Sequence, residues 1–91
     1  MAISGERESV QAIRAILDAC AGLTRPARRI RTGDDLFALG LTGLAAVDVM
    51  LAVEAAFGVE FPKSMLRKGN VASIDTLMGC LRALQARPLA A

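Results

Sequence analysis

The sequence predicts an all-α fold: a four-helix bundle with a long first loop and a short third helix. Three observations predict it. Apolar residues recur at three- and four-residue spacing in separate segments, each bounded by Gly or Pro. Hydrophobic residues make up 54% of the chain but aromatic residues only 3%, so the core is Leu, Val, Ile, Met and Ala, a composition that suits helices better than strands. A length of 91 residues allows one small domain, expected to span 1–91 and to be folded from about 6 to 86.

The first helix is expected over residues 6–21. Val10, Ile13, Leu17 and Cys20 form its apolar stripe, with Ile16 beside them. Glu6 and Glu8 stand in its first turn, where the helix dipole favours carboxylates, and Gly22 is a natural stop. A long connection follows over residues 23–42. It carries Pro26, Gly33, Gly40 and the basic run Arg25, Arg28, Arg29 and Arg31, read first as a solvated face. Leu36, Phe37, Leu39 and Leu41 should pin this loop to the core.

The second helix is expected over residues 43–57, capped by Gly58. A short third one is expected over 63–68, begun by Pro62 and ended by Gly69-Asn70. The fourth is expected over 74–86 with Ser73 as its N-cap, Asp75 in its first turn, and Arg87-Pro88 closing it. Ile74, Leu77, Met78, Leu81 and Leu84 line its apolar side. Ile13, Leu17, Phe37, Val49, Val53, Phe57, Leu77 and Leu81 are the expected interior of an up-and-down-like bundle.

Composition also excludes functions. The chain has no His, which removes the commonest general base, Ser-His and Cys-His nucleophile pairs, and most zinc sites, and so argues against an enzyme. Cys20 and Cys80 are too few for a disulfide scaffold and read as buried free thiols. A net charge of +2 is too balanced to indicate nucleic acid, and the arginine run lies in a Pro-containing loop without aromatic platforms. No 18-residue apolar stretch offers a membrane span, and acids stand where a secretion leader would carry bases, so a cytoplasmic monomer is expected.

The second helix has more apolar surface than one core needs. Ala46, Val49, Met50, Val53 and Phe57 form an ordinary core stripe. Leu44, Val47 and Leu51 fall on another side with Asp48, Glu54 and Ala55. That second set is expected to stay exposed as a partner-binding strip edged with acids. Ahead of it, residues 40–44 read Gly-Leu-Thr-Gly-Leu, a helix start with free N–H groups for which Thr42 is the plain N-cap.

Taken in order, Gly40, Leu44, Val47, Asp48, Glu54, Phe57, Phe61 and Pro62 resemble the acyl carrier protein family, and Asn70, Val71, Ser73 and Ile74 resemble the lead into its last helix. The run 35–41 and the Phe61-Pro62 segment resemble the stand-alone aminoacyl carriers served by amino acid:carrier-protein ligases. The resemblance implies a 4′-phosphopantetheine arm attached to a Ser at the mouth of the second helix, carrying acyl or aminoacyl thioesters. It implies carrier-using partners: a ligase, acyltransferase or synthase, typically docking through basic patches. Here the Asp of the family's motif is Thr42 and the attachment Ser is Gly43, flanked by Thr42 and Leu44. The chain as written should therefore stay unloaded, and a phosphopantetheinyl transferase becomes a partner only if a Ser is restored. Three explanations stay open: a natural carrier-like chain, a deliberate removal of the Ser, or attachment at Thr42. The alternative function is an interaction module that docks a synthase or ligase through the second helix without any prosthetic group. Ser64 and Ser73, near other helix starts, read as caps.

Overall fold

A computed structural model describes residues 5–85. Three α-helices occur in it, α1 (Glu6–Cys20), α2 (Gly43–Phe57) and α3 (Ile74–Gln85), joined by segments holding 3-10 turns at Ala27–Arg29, Lys63–Met65 and Lys68–Val71. All regular structure among the described residues is helical. The expected last residue of the final helix, Ala86, and the closing Arg87-Pro88 lie outside the described residues.

The expected third helix is instead two 3-10 turns. Leu66 leaves helical geometry at φ −81 and ψ 64, and Arg67 is extended at φ −121 and ψ 146. The Asn70 side-chain amide donates to the Met65 carbonyl at 2.8 Å, closing the first turn rather than extending it. So short a segment recovers too few hydrogen bonds to offset helix nucleation. Helix α3 begins with a reciprocal cap. The Thr76 N–H donates to Ser73 Oγ at 3.1 Å, and the Ser73 N–H donates to Thr76 Oγ1 at 3.0 Å. Ser64, by contrast, caps nothing: its turn starts at Pro62 without a side-chain cap.

Helix α1 packs against both α2 and α3. Ile13 and Leu17, Val49 and Val53, and Ile74, Leu77 and Leu81 are fully buried between them, with Leu36 of the first loop added. Two expected core residues are only half-buried. Phe57 is the last residue of α2, and Phe37 lies on the loop with the Lys68 ammonium 4.7 Å from its ring centroid. The buried phenylalanine is Phe61. Of the thiols, Cys80 is buried but Cys20, at the end of α1, is half-buried.

Helix α1 also fastens the long first loop. The Arg14 guanidinium donates to the Ala27 carbonyl and, at 2.6 Å, to that of Ile30. The Asp18 carboxylate accepts the Ala27 N–H at 2.8 Å. Ala27, Ile30, Leu36 and Leu41 are buried, and Phe37 and Leu39 half-buried, so the apolar cluster does pin the loop. Leu36 N–H donates to Ala72 O at 2.7 Å and Asp75 N–H to Thr32 O at 2.9 Å, tying the loop to the start of α3. Arg25, Arg28, Arg29 and Arg31 stay exposed.

Candidate functional site

The last part of that loop delivers the chain to α2 in a fixed direction. Gly40 adopts φ 106, and a Cβ there would stand 3.4 Å from Thr24 Cγ2. The positive φ favours glycine at this position, and a Cβ there would come only into close contact with Thr24. The Thr24 N–H donates to Leu39 O at 2.9 Å, holding this crossing together. Thr42 then takes extended geometry, and its Oγ1 accepts the Ala45 N–H at 3.1 Å. It is the N-cap that the sequence indicates, so its hydroxyl serves the helix start. Gly43 is the first helical residue, and a Cβ added there meets nothing within 4 Å. Position 43 therefore faces open space at the positive end of the α2 dipole.

From this entrance α2 shows two apolar faces. Val49 and Val53 are 0% exposed, whereas Leu44 is 80%, Val47 54% and Leu51 57% exposed. The second set stands in solvent as expected, with Asp48 exposed beside it. Glu54 differs from the expected free acid of this edge. Its Oε2 accepts the Phe61 N–H at 2.6 Å, so the carboxylate braces the chain leaving α2. Gly58 provides the reversal there, with φ 64 and its N–H on Glu54 O.

Beside the exposed strip lies a groove of about 730 Å³ between α2 and the segment of 3-10 turns. Val47 and Leu51 line one side of it and Leu66, itself 54% exposed, the other. Gly43 belongs to its lining, and Arg67 and Lys68 are exposed residues along it. Sequence reasoning missed the groove, because its far wall, Leu66, Arg67 and Lys68, comes from the segment expected to be a helix. The only signal for it was the unexplained apolar excess of α2.

Among the described residues no group of three or more His, Cys, Asp or Glu could hold a metal ion. Burial pushes the Cys80 thiol up, which keeps it protonated, and it sits in the core on α3. No described helix is long and apolar enough to cross a membrane.

Comparison with known proteins places this geometry. The family described as phosphopantetheine attachment site matches residues 14–77. The aminoacyl carrier protein of Agrobacterium fabrum (strain C58) is 40% identical over 65 residues, which cover 71% of this chain and 78% of that protein. The crystal structure of an engineered Bradyrhizobium japonicum glycine:[carrier protein] ligase, complexed with carrier protein from Agrobacterium tumefaciens and ATP, contains a similar chain. The similarity has a TM-score of 0.80 and 35% identity, covering 82% of this chain and 97% of that one. A solution structure of an Agrobacterium tumefaciens protein matches with a TM-score of 0.67 and 34% identity, over 84% of this chain and 92% of that one.

Proposed function

The chain belongs to the phosphopantetheine attachment-site family of carrier proteins, which are not enzymes, and on that premise we propose that it is a carrier module without its attachment hydroxyl. It docks carrier-using enzymes through α2 and ferries no thioester. One observation carries this reading: at position 43, where the resemblance puts the Ser, there is a hydrogen atom with open space around it.

A phosphopantetheine arm needs an oxygen that can be joined to its phosphate, and Gly43 has none. Thr42 does not substitute. Its hydroxyl caps Ala45, and it lies about 100° around the helix from position 43. The residues at the entrance therefore do not fit the attached group. What remains is the docking surface: Leu44, Val47, Asp48 and Leu51, with Glu54 shaping the exit from α2. The aminoacyl relative and the ligase-bound neighbour favour an amino acid:carrier-protein ligase as the partner, ahead of an acyltransferase or synthase.

The test is competition. The unmodified protein is added to such a ligase while it aminoacylates a working carrier. The expected result is slower aminoacylation with rising protein concentration, relieved by Leu51→Asp. No inhibition, or equal inhibition by the Leu51→Asp variant, overturns the reading.

A further inference from the structure

The inference here rests on the α2 docking surface just proposed. Leu44 is 80% exposed but does not line the groove, so the apolar surface runs from the groove onto the open side of α2. An apolar track of that kind suits the apolar stripe of a helical segment better than a small molecule held in one cavity. The groove's charged lining is Arg67 and Lys68 against one acid, Glu54. Glu54 is half-buried with one oxygen turned to the Phe61 N–H, and Asp48 is exposed on α2 outside the groove lining. Arg67 and Lys68 stand exposed along the groove. The Lys68 ammonium is held 4.7 Å from the Phe37 ring centroid, which fixes one positive charge at the margin.

We propose that this face takes an amphipathic helical segment of a partner protein whose apolar stripe is edged by carboxylates. That is the reverse of the basic patches expected to meet an acidic carrier. Carboxylates opposite Arg67 and Lys68 attract, and cations there repel, so the edge charges choose between partners of equal apolar content.

The test uses two synthetic helical peptides with the same leucine stripe, one edged with Glu and one with Lys. Each is titrated into the ¹⁵N-labelled full chain and followed by amide chemical shifts. The Glu-edged peptide should bind at least about tenfold more tightly at low salt and weaken as salt rises. Its shifts should map to residues 44–51 and 66–68. The double change Arg67→Glu/Lys68→Glu should reverse the preference, and Asp48→Lys should strengthen binding of the Glu-edged peptide. All three positions are exposed, so the fold should tolerate both variants. Equal binding of the two peptides, a preference for the Lys-edged one, shifts elsewhere, or no response to either overturns the proposal. So does binding to anionic lipid vesicles or RNA in place of the peptide. Ligase docking without a peptide preference would sink this inference alone, while a peptide preference without ligase docking would sink the preceding one alone.

Discussion

Replacing Arg14 by Met tests how the first loop is held in place to present α2. Methionine keeps most of the apolar stem and removes the guanidinium. The Arg14 guanidinium donates to the carbonyls of Ala27 and Ile30, both residues being buried. A hydrogen bond from a charged donor contributes roughly 1.5–3 kcal/mol, and losing the donor leaves the acceptors short of a partner. Arg14 is only half-buried, so water can replace part of what is lost. The expected cost for the pair is about 2–3 kcal/mol, toward the lower end of that range for two bonds. For a domain this size it lowers the melting temperature by about 10–20 °C. Urea unfolding followed by circular dichroism measures the loss, and amide hydrogen exchange locates it. Exchange should accelerate at Ala27 and Ile30, whose N–H groups bond to Asp18 and Ala27, more than in α3. A loss below about 0.5 kcal/mol would be the size of an ordinary surface change and would refute the reasoning.

Other perturbations have defined outcomes. Gly79 lies inside α3, exposed, with open space where a Cβ would stand. Gly79→Ala should therefore raise unfolding stability by about 0.5–1 kcal/mol in the same urea assay. Ser73→Ala removes the α3 cap and should cost about 1 kcal/mol, read as a shift in the urea midpoint. Burial raises the Cys80 pKa, so the folded chain keeps its proton to higher pH than the unfolded chain. The contribution is full below the unfolded thiol's value of about 8.5 and is lost as pH rises through the raised folded value. Urea stability measured from neutral to alkaline pH should fall in that window, and fall less in Cys80→Ala. With iodoacetamide, half-buried Cys20 should be alkylated before Cys80.

How legible all this was depended on whether a feature was local. The bounds of α2 could be read because Thr42 and Gly58 punctuate it within the chain itself. Its exposed face could be read because Leu44, Val47 and Leu51 share a stripe that no core of this size needed. The third helix was misjudged because Pro62 and the Gly69-Asn70 stop look the same around one α-helix or two tighter turns. Deciding between them required the backbone at Leu66 and Arg67. The roles of Arg14 and Glu54 were hidden for another reason. Each side chain answers a backbone group at a distance, Ile30 O in one case and Phe61 N–H in the other, and residue spacing carries no record of that. Helical spacing thus puts Glu54 on the docking edge and Phe57 on the core stripe, but it does not show that Glu54 is engaged or that Phe57 ends the helix half-buried.

The central claim is the proposal that this chain is a carrier module without its attachment hydroxyl. The direct measurement is intact mass after co-expression with a broad-specificity phosphopantetheinyl transferase, for the chain with Gly43 and for Gly43→Ser side by side. A side chain at position 43 meets nothing within 4 Å, so the variant should fold with a stability change of no more than a few tenths of a kcal/mol. The account predicts an unchanged mass for the Gly43 chain and a phosphopantetheine adduct on Ser at position 43 of the variant. An adduct on the Gly43 chain mapping to Thr42, or a folded variant that stays unloaded, would contradict it.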